Sequence, residues 1–340
     1  MTKQQLTDLL NSVKYPNLDK SIVDLKLIDD VKIDGKRIFI TLHMQNEEAF
    51  SYLQSTIKDL LKDFTVEVSL KALQKKDIKY GSTQKPNNRA SYAKKVIAVT
   101  SGKGGVGKST VSTNLSIALA QEGFKVGLLD ADVYGPDIPR MLNVVGEKLR
   151  WSSDDKILPT ENYGIKSISV GITTPSHDTP LVWRSSVAIS ALIQFLEDVK
   201  WKELDFLIID MPPGTGDVQL TMAQEVNLAG AVIVTTPQQV SIDDVSRAIM
   251  MFKEINVPIL GLIENMSYFV APDTKAIYEI FGKGLGEQTS IYYKIPFLGK
   301  IPLLMDIREG SDSGKPPVVF GDESVKGYYK EIAKKIVKSF

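Results

Sequence analysis

The sequence predicts an α/β protein in which a small α+β domain precedes a larger domain built on a doubly wound, mostly parallel sheet. Three observations predict it. Short unbroken apolar runs recur at residues 96–99, 126–129, 206–209, 231–234 and 259–263, and such runs suit strands buried on both faces. Helical segments at 110–121, 185–199 and 241–255 alternate with those runs, as parallel strands joined by crossover helices require. Residues 1–72 follow a different rhythm, with two helical and three strand-like segments.

Within 1–72, Leu6, Leu9, Leu10 and Val13 recur at helical spacing. Strand-like runs at 22–28 and 37–42 flank Asp34-Gly35, a hairpin signal. Residues 49–61 repeat the helical period through Phe50, Leu53, Ile57, Leu60 and Leu61, and 65–70 alternate as a third strand. From 73 to 93 the apolar period disappears among Lys75, Lys76, Gly81, Ser82, Pro86, Asn87 and Asn88, which reads as an interdomain linker. Residues 94–340 form the α/β domain.

The chain has 340 residues, 43% hydrophobic and 24% charged, values that suit a soluble protein with a sizeable core. Lys and Arg number 41, as do Asp and Glu. The zero net charge argues against nucleic acid or an anionic membrane as the main partner. No cysteine is present, which excludes disulfides, thiolate metal ligands and thiol nucleophiles. No apolar run approaches the roughly 20 residues of a membrane span, and no secretory h-region is visible. The expectation is a soluble, cytoplasmic protein.

The first apolar run of the α/β domain leads directly into Ser101-Gly102-Lys103-Gly104-Gly105-Val106-Gly107-Lys108-Ser109-Thr110. This is the P-loop pattern in its strand–loop–helix context. Glycines let the backbone curl so that its amides face phosphate oxygens, and the following helix adds its positive end. ATP is the expected ligand. Lys108 should reach the β- and γ-phosphates, Ser109 should ligate Mg²⁺, and Thr110 should contact the α-phosphate. Two apolar strands end in carboxylates where open α/β sheets bind ligands. Asp210, after 206–209, should hold Mg²⁺ through water, and the Pro212-Pro213-Gly214-Thr215-Gly216 loop should sense the γ-phosphate. Asp132 should orient or activate the attacking water, with Asp130 supporting the Mg²⁺ shell.

Lys103 matches the extra lysine of the deviant Walker A ATPases, which include the MinD and ParA proteins. Further segments resemble the Mrp/NBP35/ApbC iron–sulfur cluster carriers. They are residues 130–139, Trp183-Arg184, 205–221, Glu264-Asn265-Met266-Ser267-Tyr268, Phe281-Gly282-Lys283-Gly284 and Gly299-Lys300-Ile301-Pro302. The first 72 residues resemble the MIP18-type domain often fused to such proteins. The resemblance implies a P-loop NTPase fold and a homodimer that sandwiches two nucleotides. Lys103 would reach the facing subunit's nucleotide, Asn265 would recognise adenine, and Pro237 would lie close to the base. It also implies iron–sulfur client or assembly proteins as partners.

The chain departs from that family at one motif. Its usual Cys-x-x-Cys is replaced by Ala271-Pro272-Asp273-Thr274. Iron–sulfur clusters are held mainly by thiolates, so the conventional bridging cluster is not available here. His43 and His177 lie outside the motif and read as ordinary surface or loop histidines. Three functional readings follow. One is an ATPase linked to cluster assembly or transfer without the cysteine-bound cluster. Another is an ATP-gated switch that binds a further protein. The third is a positioning ATPase of the ParA or MinD kind. The last helix, 324–340, carries Val325, Tyr328, Tyr329, Ile332, Ala333, Ile336, Val337 and Phe340 on one stripe with lysines elsewhere, and is expected to pack on the sheet.

Overall fold

Local side-chain chemistry starts the chain. In this computed structural model, which describes residues 2–16, 21–25, 27–42, 47–70, 88–172 and 185–340, Thr2 accepts a hydrogen bond from the amide of Gln5, and the Gln5 side chain answers to the Thr2 amide. This capping box satisfies two orphan amides of helix α1, Lys3–Leu10. The chain divides into two units, Met1–Gln84 and Lys85–Phe340.

In the first unit, strands β1 (Ile28–Asp34), β2 (Arg37–Leu42) and β3 (Thr65–Leu70) form one sheet, with helix α2 (Glu47–Leu60) between β2 and β3. Its core gathers Leu6, Leu10, Ile22, Ile38, Ile40, Leu53 and Ile57. β1 and β2 pair antiparallel with Asp34 opposite Arg37, leaving Gly35-Lys36 as a two-residue turn. Gly35 takes φ +58°, the left-handed conformation that such a turn demands. The strand expected at 22–28 is not one. Ser21 and Asp24 exchange side-chain-to-amide bonds of 3.3 and 3.0 Å, and the Leu25 amide donates to the Ser21 carbonyl. Those bonds close a turn, so pairing starts only at Ile28.

The second unit begins earlier than the expected linker end at 93. Ala90 is fully buried, and Arg89 forms ion pairs with Glu197 and Glu225. Strand β4 (Ala93–Ser101) enters the sheet centre, followed by α3 (Lys108–Gln121), β5 (Val126–Asp130) and α4 (Ile138–Met141). Four short strands then run through β6 (Arg150–Trp151), β7 (Ile157–Leu158), β8 (Thr160–Asn162) and β9 (Ile165–Ser169). The remainder is α5 (Ser185–Asp198), β10 (Leu204–Asp210), α6 (Asp217–Glu225), β11 (Leu228–Thr235), α7 (Gln239–Glu254) and β12 (Ile259–Val270). The chain closes with β13 (Ile277–Tyr278), α8 (Leu285–Tyr293), β14 (Phe297–Leu303), α9 (Met305–Ser313), α10 (Pro317–Phe320) and α11 (Glu323–Val337).

Among the described residues nine of these strands form one sheet ordered β13-β12-β11-β4-β10-β5-β9-β8, with β14 also paired to β12, while β6 and β7 pair with each other. Strands β9, β5, β10, β4, β11, β12 and β14 are parallel neighbours, and β8 and β13 run antiparallel at the edges. Alternate residues of each central strand serve opposite faces. Ile97, Val99, Leu128 and Ile208 pack toward α3 and α11. Val96, Ala98, Leu129, Leu207 and Ile209 pack with α5 and α6 residues such as Leu192, Leu196 and Met222. Helix α11 puts Val325, Tyr329, Ile332, Ala333 and Ile336 into the core, while Lys326 and Lys334 pair with Glu323 and Glu331 outside. No helix of the described residues is long and apolar enough to cross a membrane.

Ile208 lies on β10 between two paired strands and is fully buried. Ile208→Ala is expected to lower the unfolding free energy of the second unit by about 2–4 kcal/mol. Urea unfolding followed by tryptophan fluorescence checks this, because all three tryptophans fall in residues 94–340.

Candidate nucleotide site

The carboxyl ends of β4, β5 and β10 are level with one another. Asp210 pairs with Asp130 on one side and with Val99 on the other. The loop from Gly102 to Gly107 leaves β4 at this edge and enters α3, whose first turn has no side-chain cap. Uncapped helix amides beside a glycine-rich loop are an anion-binding arrangement.

Gly107 is required twice over. Its φ is +81°, and a Cβ there would lie 2.2 Å from Asn265 Nδ2. Gly102 faces the α7 backbone so closely that a Cβ would come within 2.4 Å of the Asp244 carbonyl carbon. Short bonds tie the loop to its surroundings. Ser101 Oγ donates to the Lys103 carbonyl at 2.9 Å, the Gly214 amide donates to the Ser101 carbonyl at 2.9 Å, and Asn265 Nδ2 donates to the Val106 carbonyl at 2.8 Å. Gln219 directs its amide nitrogen at the carbonyls of Pro212, Pro213 and Gly214, holding the loop after β10 closed.

Lys108 is the centre of charge. Its Nζ lies 2.9 Å from Asp210 Oδ2, 3.6 Å from Asp132 Oδ2 and 3.3 Å from Ser109 Oγ. The side chain is only 6% exposed. Burial pulls the ammonium down, but Asp210, Asp132 and Asp130 together outweigh it and hold Lys108 above its ordinary value. Ser109 Oγ donates to Asp210 Oδ2 at 2.7 Å, and Ser112 Oγ reaches Asp210 Oδ1 at 2.6 Å. Asp130 accepts from Ser169 Oγ at 2.8 Å and from the Asp132 amide at 3.1 Å, so it braces the turn that carries Asp132. Burial, followed by the Asp210 charge, pushes Asp130 well above the usual carboxylate range. Burial also raises Asp132, against the pull of Lys108.

The residues singled out in the sequence divide into two groups. Lys108, Ser109, Asp132 and Asp210 meet at one point, with Asp130 one hydrogen bond behind. The others surround it. Lys103 Nζ donates to Gln238 Oε1 at 3.2 Å, Thr110 Oγ1 lies 3.4 Å from Ser311 Oγ, and Asn265 holds the P-loop carbonyl. The Pro237 carbonyl lies 2.7 Å from where a Cβ of Gly282 would stand, which brings the β11–α7 loop onto the Phe281-Gly282-Lys283-Gly284 segment. Beyond them, Ser112, Ser169, Gln219 and Gln238 also build the site. Trp183, Arg184, His43, His177 and the 73–87 stretch lie outside the described residues.

A Mg²⁺ ion prefers hard oxygen donors and keeps several waters, taking the rest of its shell from phosphates. Ser109 Oγ and Asp210 Oδ2 supply two such donors at 2.7 Å from each other. Among the described residues, no group of three or more His, Cys, Asp or Glu could hold a metal ion by itself. The donor set therefore fits a cation that arrives with a phosphate ligand. The Ala271-Pro272-Asp273-Thr274 segment is the turn joining β12 to β13, closed by the Lys275 amide on the Ala271 carbonyl at 2.9 Å. Asp273 uses its own Oδ1 to accept from the Thr274 amide at 2.7 Å.

Two expectations follow. Gly107→Ala should displace Asn265 from the P-loop and weaken nucleotide binding at least tenfold, measured by calorimetry, because backbone strain and the close approach act together (about 10-fold per 1.4 kcal/mol). Asp130→Asn should stabilise the chain at neutral pH. The sign follows from linkage: a carboxyl whose folded value is raised destabilises the fold increasingly as pH climbs from the unfolded value to the folded one. The gain in Tm should therefore grow as pH rises above the ordinary carboxylate range and shrink as pH falls toward 4.

Known proteins share this family and fold. Residues 92–337 match the family described as ParA, NUBPL iron-transfer P-loop NTPase. The iron–sulfur cluster carrier protein of Aquifex aeolicus is 40% identical over 355 aligned positions, covering 96% of both chains. The iron–sulfur protein required for NADH dehydrogenase, mitochondrial, of Arabidopsis thaliana is 49% identical over 252 positions, covering 74% of this chain and 80% of that one. Among solved structures, a nucleotide-binding protein of Archaeoglobus fulgidus in complex with ADP aligns with a TM-score of 0.59 at 38% identity, covering 67% of this chain and 89% of that one. The cell-division ATPase MinD of Pyrococcus furiosus, at 24% identity and a TM-score of 0.53 over 73% of this chain and 100% of its own, shares the fold. A P-loop domain of this fold, matched over most of its length by iron–sulfur cluster carriers, places the chain in the Mrp/NUBPL family of iron–sulfur cluster carrier P-loop NTPases.

Proposed function

We propose that this protein is a Mg²⁺-dependent ATPase that dimerises around two nucleotides and serves iron–sulfur cluster assembly as an ATP-gated switch, without a cysteine-bound bridging cluster. The observation that carries the catalytic part is the convergence of Lys108, Ser109, Asp132 and Asp210 at the mouth of an uncapped helix.

ATP lays its phosphates along the 102–107 amides and draws Lys108 from Asp210 toward the β- and γ-phosphate oxygens. Mg²⁺ neutralises charge on those oxygens when bound. The departure of Lys108 frees Asp132, which holds a water in line with the γ-phosphorus. As the new O–P bond forms, the bond from the γ-phosphorus to the bridging oxygen breaks, and ADP leaves with that electron pair. Asp132 takes the water's proton, a role that its burial-raised proton affinity favours. Positioning and charge stabilisation carry most of the rate in such transfers. Lys103, held here by Gln238, is free to swing toward the nucleotide of a facing subunit.

The cluster part of the reading rests on composition and on the hairpin. The relatives are named as cluster carriers, so a cluster is their cargo. This chain contains no cysteine anywhere, and Ala271 and Thr274 offer no thiolate where the family places its pair. An iron–sulfur client or assembly protein would then be engaged by protein contacts that follow the nucleotide state.

Two measurements test this. Anaerobic reconstitution with iron and sulfide, with ATPase assayed on the same sample, should show hydrolysis and no stoichiometric cluster. One bound cluster per dimer would overturn the switch reading, and absence of hydrolysis would overturn the enzyme. Asp132→Asn should lower kcat about 10²-fold or more while ATP affinity stays nearly unchanged, as expected for loss of a group that handles the water.

A further inference from the structure

We propose that Ser112 is a positioning residue for Asp210, fixing the carboxylate so that its second oxygen faces the cation of the bound nucleotide. The proposal rests on the ATPase reading above. Ser112 lies four residues after Lys108 on α3 and is fully buried. Its Oγ is 2.6 Å from Asp210 Oδ1 and 3.0 Å from the Lys108 carbonyl. A hydroxyl has one proton to donate, and the shorter contact to a charged acceptor takes it.

The two oxygens of Asp210 have different fates. Oδ2 is shared by Lys108 Nζ at 2.9 Å and Ser109 Oγ at 2.7 Å. Those are the two groups that a Mg·nucleotide recruits, Lys108 to phosphate and Ser109 to the metal. Binding therefore draws Lys108 away from Oδ2, while Ser109 ligates through an oxygen lone pair and keeps its proton on that oxygen. Ser112 points into the protein from the inner face of α3, has no path to the nucleotide, and stays on Oδ1. The terminal torsion of an aspartate is soft, so without Ser112 the carboxylate keeps a single side-chain donor, Ser109 on Oδ2, about which its plane can turn once the nucleotide is in place. Partners of this kind, one bond behind a metal-binding group, typically carry a 10- to 100-fold effect on metal affinity, on the order of what is expected here.

Ser116 provides a matched control. It is also fully buried on α3, and its Oγ donates to the Ser112 carbonyl at 2.7 Å without touching Asp210. The experiment uses the full chain and a non-hydrolysable ATP analogue, with binding measured by calorimetry from EDTA through a Mg²⁺ titration. Melting temperature is recorded for each variant. Ser112→Ala should raise the half-saturating Mg²⁺ concentration about tenfold, with the affinity in EDTA unchanged. Ser116→Ala should lower the melting temperature comparably and leave the Mg²⁺ dependence at the wild-type value. Equal Mg²⁺ dependence in Ser112→Ala and wild type would overturn the proposal, as would an equal shift in both variants. A wild-type protein whose nucleotide affinity ignores Mg²⁺ would overturn the ATPase reading and this proposal with it.

Discussion

The ion pair between Lys108 and Asp210 is the contact around which the second unit is organised. Both side chains are almost wholly removed from water. A buried charge that loses its partner is strongly destabilising, whereas a paired one with its remaining hydrogen bonds satisfied is tolerated. Asp210 meets that condition through Ser109 and Ser112, and Lys108 meets it through Asp210 and Asp132. The pair can exist only where the end of β10 and the start of α3 coincide, which is why the central parallel strands must be in the register they adopt. It is also unfinished business chemically. A buried ammonium faces three carboxylates there, so their charges are balanced by a cation of the chain itself.

From that centre, the surrounding loops are reached by single hydrogen bonds. Asn265 fastens the middle of β12 to Val106, and Gly214 fastens the loop after β10 to Ser101. That stretch of β12 is itself fixed, because the buried Glu264 accepts from Ser267 and from the Gly286 amide at the start of α8. Met266 takes a left-handed φ of +52° there, a conformation that persists in a non-glycine residue only when its surroundings impose it. The P-loop thus connects through Asn265 and β12 to the β12–β13 hairpin.

That hairpin separates fold from cargo. The chain shares the fold and family of cluster carriers, yet its hairpin turn is closed by backbone bonds and by Asp273 on its own neighbour. Residues on a fold's framework and residues of a site grafted onto it change independently. Membership in a carrier family therefore speaks for the nucleotide machinery more directly than for cluster ligation.

The sequence by itself determined the parts whose physics is local. The P-loop is legible because its glycines, lysine and serine are contiguous, and the strands are legible because burial on both faces demands unbroken apolar runs. Asp130, Asp132 and Asp210 are legible because they end such runs. Tertiary structure decided the contacts between distant segments. Ser112 meets Asp210 across 98 residues, Lys103 meets Gln238 across 135, and Asn265 meets Val106 across 159. A serine inside a helix carries no signal in its own neighbourhood, and the amide of Asn265 cannot announce from sequence that it holds a loop. The turn at Ser21–Asp24 shows the same limit at short range, where two side-chain bonds outweighed an apolar run that reads as a strand. Periodicity reports what a segment must bury, whereas the partner that a polar atom finds is settled only when the chain closes on itself.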